Sequence, residues 1–98
     1  MTDIKVFKLI SGEEIIGKVA EAGYGYELEN PATIMMQQTE KGIGMALMAY
    51  MPYADGTIKL YQVCIASEGE PSLKMVNEYN RLFGSGIEIV SAGAIQTA

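Results

Sequence analysis

The stretch Phe7–Gly17, FKLISGEEIIG, decides the fold. It reads as a strand, a Ser11-Gly12 turn and a second strand. Upstream, Ile4 to Ile10 alternates with period 2: Ile4, Val6 and Lys8 share one face, and Lys5, Phe7 and Leu9 the other. Phe7 and Leu9 are therefore expected in the core. Gly17 falls inside the second strand, Ile15 to Ala20. A glycine there marks a bend or a close backbone approach, as a strongly curved sheet requires.

Working outward, Gly23-Tyr24-Gly25-Tyr26 forms a turn into a third strand, which Asn30-Pro31 breaks or bulges because proline has no N–H to give a ladder. Residues 32–38 resume it, and Thr39 to Gly42 is a polar turn. Ile43 to Tyr53 is the longest strand candidate. Ile43, Met45, Leu47, Ala49 and Met51 point one way; Gly44, Ala46, Met48 and Tyr50 point the other. Both faces are apolar or small, the pattern of a strand covered on both sides. Asp55-Gly56 predicts a hairpin into a return strand, residues 57–66. The acidic linker Ser67 to Glu70 leads to a helix over 72–83, with Pro71 at its first position. Met75, Val76, Tyr79, Leu82 and Phe83 lie within about 120° of arc and form its apolar face. This helix is expected to pack across the open end of the sheet. Gly84 is its expected stop, and Ile87 to Val90 a candidate tail strand within residues 84–98.

These elements make a single domain, 1–98, with the sheet over about 4–66. At 98 residues and 49% hydrophobic content, one core is just adequate. Six methionines beyond Met1 and six tyrosines stand against two phenylalanines and no tryptophan. So much apolar material in so short a chain implies burial between chains as well as within one. The stripe Met45, Leu47, Ala49 and Met51, with Ile58, Leu60 and Val63 of the return strand, is the expected subunit interface.

Strand, turn, glycine, bent strand, third strand and long hairpin together resemble the Sm fold of the Sm-like (LSm) ring proteins, and FKLISGEEIIGKV resembles the start of their first motif. Around SGEEIIG, LENP and VNEYNRLFG the chain also looks like small, uncharacterised Sm-like proteins of marine phages. The resemblance implies a mainly β fold, a strongly bent five-stranded barrel-like sheet, here followed by a C-terminal α-helix. It also implies a cyclic homo-oligomer of about five to seven subunits, in which the fourth strand of one copy pairs with the fifth of the next. The family's RNA-binding members hold a uridine with an Asp and an Asn; the matching positions here are Gly23 and Glu27 or Leu28. Their cationic Arg-Gly turn is matched by Asp55-Gly56. Family members often carry a helix before the first strand, whereas the helix here follows the last.

Charge agrees with those departures. The net charge is −5, and the seven cations are scattered with no two adjacent. Six copies at −5 each would carry about −30, a field that repels nucleic acid at long range. Tyr24 and Tyr26 are the candidate nucleic-acid-binding residues, since aromatic rings stack on bases without sequence preference. The competing reading is a tight turn with tyrosines packed on the sheet, and the lack of a basic groove favours it.

No enzyme is expected. The chain has no histidine to activate Ser67 or Ser72. Glu13-Glu14 reads as a solvated hairpin tip, and Glu68 and Glu70 as linker carboxylates that favour the helix N-terminus. No cofactor and no metal site is expected. Cys64, alone in an apolar run, reads as a small core residue. No segment reads as a signal peptide or a membrane span, and the polar face of the helix is too weakly cationic for a lipid surface. The expected compartment is the cytoplasm, that of the host if the protein is phage-encoded. The expected function is a ring-forming scaffold or adaptor for an unknown protein partner, with an RNA- or single-strand-binding ring as the second candidate.

Overall fold

A computed structural model describes residues 3–83. The fold is mainly β, a strongly curled antiparallel sheet with one C-terminal helix. The strands are β1 (Ile4–Leu9), β2 (Glu14–Ala22), β3 (Gly25–Thr39), β4 (Gly42–Ala49), β5 (Ile58–Tyr61) and β6 (Ile65–Gly69). One 3-10 turn, Gln62–Cys64, separates β5 from β6, and α1 spans Leu73–Phe83. The sheet order is β4-β3-β2-β1-β6, with β5 on β3. The return strand is thus two short strands: Thr57 lies outside it, and it runs on to Gly69.

The Asp55-Gly56 hairpin does not form a β4–β5 ladder. Both strands pair with β3 instead, β4 along Ala32–Thr39 and β5 along Gly25–Leu28. The reason lies at Asn30-Pro31. Pro31 has no N–H to donate, and Asn30 adopts a positive φ of 51°. The outer edge of the 15-residue β3 is therefore split into two segments, each with its own partner.

The opposite edge of β3 bends at the same place. Ile16 pairs with Ala32, but Lys18 pairs with Glu29, so Gly17 faces both Asn30 and Pro31. This bulge sharpens the local twist. A Cβ on Gly17 would lie 3.3 Å from the Pro31 Cα, so the close approach expected of this glycine is present. A second glycine is more constrained: a Cβ on Gly25, at φ +148°, would overlap the Leu60 carbonyl oxygen where β5 joins β3.

Curling gives the sheet two apolar faces and two clusters. Inside the curl lie Phe7, Leu9, Ile15, Tyr26, Leu28 and Leu60. On the outer face lie Ile4, Ile16 and Ala32, covered by Val76 and Tyr79 of α1. Neighbours such as Ile15 and Ile16 enter different clusters because strand side chains alternate. The helix therefore covers the outer face of the sheet and does not close its end.

Ser72 accepts a hydrogen bond at Oγ from the Met75 N–H, 3.2 Å, and so caps α1; Pro71 precedes the cap and is not the first helical residue. Of the predicted apolar arc, Val76 and Tyr79 are buried, Met75 and Phe83 are half-buried, and Leu82 is 45% exposed at the edge. The Phe83 ring leans on Tyr79 at 5.0 Å. Gly84 and the candidate tail strand lie outside the described residues.

Tyr79 fastens the helix to the bulge. Its hydroxyl lies 2.7 Å from the Glu29 carbonyl oxygen and 2.8 Å from that of Asn30, and accepts from the Lys18 N–H at 3.3 Å. Burial pushes this phenol up to about 12; the Lys18 N–H opposes that shift, and the Glu29 charge adds to it. Tyr79→Phe keeps the ring and strands these backbone groups, and should cost about 1–3 kcal/mol in chemical denaturation. Tyr79→Ala should cost about 3–5 kcal/mol, the range for removing a buried aromatic. The phenol ionises in the unfolded chain near pH 10 but in the folded chain only near 12. Stability therefore falls as pH rises across that window, and Tyr79→Phe should lack that part of the fall.

Candidate functional site

Among the sequence-predicted residues, the structure first separates the two tyrosines. Gly25 begins β3, so Tyr26 and Leu28 alternate inward together. Tyr26 is 8% exposed and packs on Phe7 at 5.1 Å. Its hydroxyl donates to the Glu68 carboxylate, 2.9 and 3.0 Å from the two oxygens. That bond to a carboxylate, then burial, raises the phenol pKa. Lys5 stands 3.8 Å from Glu68 and 3.3 Å from Glu70, so a polar string crosses β3, β6 and β1 at one rim of the curl. Tyr26 is therefore a core residue and cannot stack on a base, a correction to its expected role.

Tyr24 stays at the surface, half-buried. Its ring packs against Tyr61 at 5.3 Å, and the Lys59 ammonium sits over it, 5.5 Å from the centroid. Its hydroxyl donates to Glu27 Oε2, 3.2 Å away. One of the seven cations is thus already engaged by the tyrosine and flanked by a carboxylate. The reading of a turn with packed tyrosines describes this corner.

The expected interface residues part company too. Leu60 is 6% exposed and sits directly opposite Tyr26 in the ladder, so it belongs to the core, not to a subunit contact. Ile58 is half-buried against the same cluster. Leu47 packs against the cluster under α1, and Met45 is half-buried. Ala49, Met51 and Val63 are exposed, Val63 by 81%. Strand parity alone separates Leu60 from Val63, three residues on: with Leu60 inward, Val63 faces outward.

The β3–β4 hairpin carries apolar surface that the predicted interface omitted. Met36 is 72% and Ile43 69% exposed on the face that holds Ile34 and Leu47; Met48 at 55% and Met35 at 40% lie on the other. The run Ile34-Met35-Met36 was the available signal, since a strand apolar on consecutive positions is apolar on both faces.

The carboxylates at the β1–β2 turn are engaged locally. Glu14 meets Lys8 at 3.5 Å, and Glu13 accepts from Ser11 at 3.3 Å, both at the β1–β2 turn. Among the described residues no group of three His, Cys, Asp or Glu could hold a metal ion. No helix among them is long and apolar enough to cross a membrane.

In comparisons with known proteins, no family model and no curated protein matches this chain.

With Tyr26 buried, and the half-buried Tyr24 ring packed on Tyr61 under the Lys59 ammonium, the predicted nucleic-acid site offers little free stacking surface. Oligo-uridine at near-physiological salt should therefore bind with a dissociation constant well above micromolar in a fluorescence anisotropy titration. Submicromolar binding lost in Tyr24→Ala would reverse this reading.

Proposed function

We propose that this protein is a non-enzymatic module that assembles with copies of itself into a closed ring and acts as a scaffold or adaptor for another protein. The observation that carries the reading is the uncharged outer edge of β4. From Gly42 to Ala49 the strand, GIGMALMA, holds no charge, and among the described residues it is paired on one side only, with β3. Long uncharged edges are templates for further pairing, and natural proteins seldom leave them bare.

The other end of the sheet supplies a partner edge. Among the described residues β6 pairs only with β1. It carries Glu68, so it is guarded against a second β6 more than against the neutral β4. One edge at each end, of different character, favours head-to-tail joining of β4 to β6 of the next copy. Repetition of one such contact closes a ring or runs on as a filament. The strong curl favours closure, and the Sm-like resemblance of FKLISGEEIIG supports a ring of five to seven copies. The exposed methionines of the β3–β4 hairpin suit adaptable contacts with a protein partner. An RNA-binding ring has less support, because the tyrosine corner is already occupied.

Mass in solution tests the reading. Multi-angle scattering or native mass spectrometry at micromolar concentration should give five to seven times 10.6 kDa, and a monomer would refute assembly. Ala49→Lys places a charge at an exposed β4 position and should dissociate the assembly while the subunit stays folded. Leu47→Lys is the less clean test, because Leu47 also supports α1.

A further inference from the structure

A cavity of about 370 Å³ opens at one mouth of the curl, at the lower end of the range for small-molecule sites, roughly 300–1,000 Å³. Its inner lining is made of core side chains: Leu9, Leu28 and Leu60, with Ile58 half-buried beside them. Polar groups join them at the rim, among them Ser11, Lys59 and Tyr61 and three that matter most here. Tyr50 follows β4, Cys64 ends the 3-10 turn, and Glu13 comes from the β1–β2 turn.

Their states complement one another. Tyr50 is half-buried, and among the described residues its hydroxyl has no protein hydrogen-bond partner. Desolvation raises its pKa, with the Glu13 charge second, so phenol and carboxylate share one electrostatic environment. Glu13 keeps acceptor capacity beyond the single bond from Ser11. The lining includes one cation, Lys59, but its ammonium is turned onto the Tyr24 ring. The cavity thus offers an apolar floor, an unused phenol hydroxyl and one carboxylate at its mouth, in a chain of net charge −5.

We infer that this mouth binds a small amphipathic amine: an apolar body, such as a single aromatic ring, seats on Leu9, Leu28, Ile58 and Leu60, and a protonated amino head meets Glu13 and the Tyr50 hydroxyl. The ring replaces water on the apolar floor, and the head supplies donors to two acceptors. Cys64 lines the same space, which gives the site a chemical reporter. The inference stands apart from the assembly of the protein, since every group it uses belongs to one chain.

The test uses the purified full chain and three probes of the same shape: phenethylammonium, phenethyl alcohol and phenylacetate. Ligand-observed NMR should show saturable binding of phenethylammonium, weaker binding of the alcohol and the weakest of the acid. Phenethylammonium near saturation should slow alkylation of Cys64 by iodoacetamide. Cys64→Phe, which fills the cavity, should abolish binding of all three while circular dichroism stays unchanged. Should that variant fail to fold, Glu13→Gln decides, because Glu13 is exposed and outside the core. It should weaken phenethylammonium roughly threefold, within the upper range for an exposed charge pair, and leave the alcohol unchanged. Absence of saturable binding, equal binding of the acid and the amine, unslowed alkylation, or full binding by Cys64→Phe each overturns the site.

Discussion

The hydroxyl of Tyr79 and the bulge it meets hold the two halves of this structure together. Gly17 faces two residues of β3, Asn30 takes a positive φ, and Pro31 withholds a donor. That combination loosens a ladder at one point, and a loosened ladder leaves polar groups in need of partners. Tyr79 serves Lys18, Glu29 and Asn30 from a single oxygen. One contact therefore fixes the bend that lets the sheet curl and also fixes where α1 lies on the outer face. Without the bend, β5 and β4 would compete for one straight edge of β3. With it, each has its own segment, and the chain from β5 through β6 spans from β3 to β1 around the inner core.

Each face of the bent sheet then has its own cover. The inner face is closed by the curl itself, through Leu28 and Leu60, and the outer face by Val76 and Tyr79. The outer cover does not reach the far end of the β3–β4 hairpin, where Met36 and Ile43 remain in solvent, and on the other face Met48, opposite Thr33 near the hairpin's base, is exposed as well. The same architecture that completes a small core thus leaves an apolar arm outside it. The proposed self-assembly through the β4 edge would shelter both the edge and part of the apolar surface around it.

Local signals were legible in the sequence, and pairings at long range were not. Phe7 and Leu9 could be placed inside from alternation, and Gly17 at a bend from its position within a strand. The helix could be placed by periodicity, although Ser72 caps it and Leu82 lies outside its buried stripe. Asp55-Gly56 misled, because a turn dipeptide says that the chain turns, not which strand receives it; the partner was decided by Asn30-Pro31, some 25 residues upstream. Tyr26 was within reach of the same alternation that placed Phe7. It shares its parity with Leu28, and its hydroxyl has an outlet at Glu68, which is what lets a tyrosine enter a core. Leu60 was misplaced because it was grouped with Val63, although residues three apart in a strand face opposite ways. The cavity at the mouth left no trace in the sequence, since its lining comes from several separate segments and only the curl brings them together.

Three residues of 3-10 turn let Leu60 and Ile65, five apart, both reach the inner core, where an unbroken strand would send them to opposite faces. Between them Val63 stands 81% in solvent, and Cys64 is half-buried beside the cavity. The turn also delivers the chain from the edge of β3 to the edge of β1, as Ile10 donates to the Cys64 carbonyl at 2.9 Å. One short irregularity therefore wraps the core and starts β6 on its course with its outer edge unpaired among the described residues. The apolar surface available to a partner is set by where the ladder breaks as much as by which residues are hydrophobic.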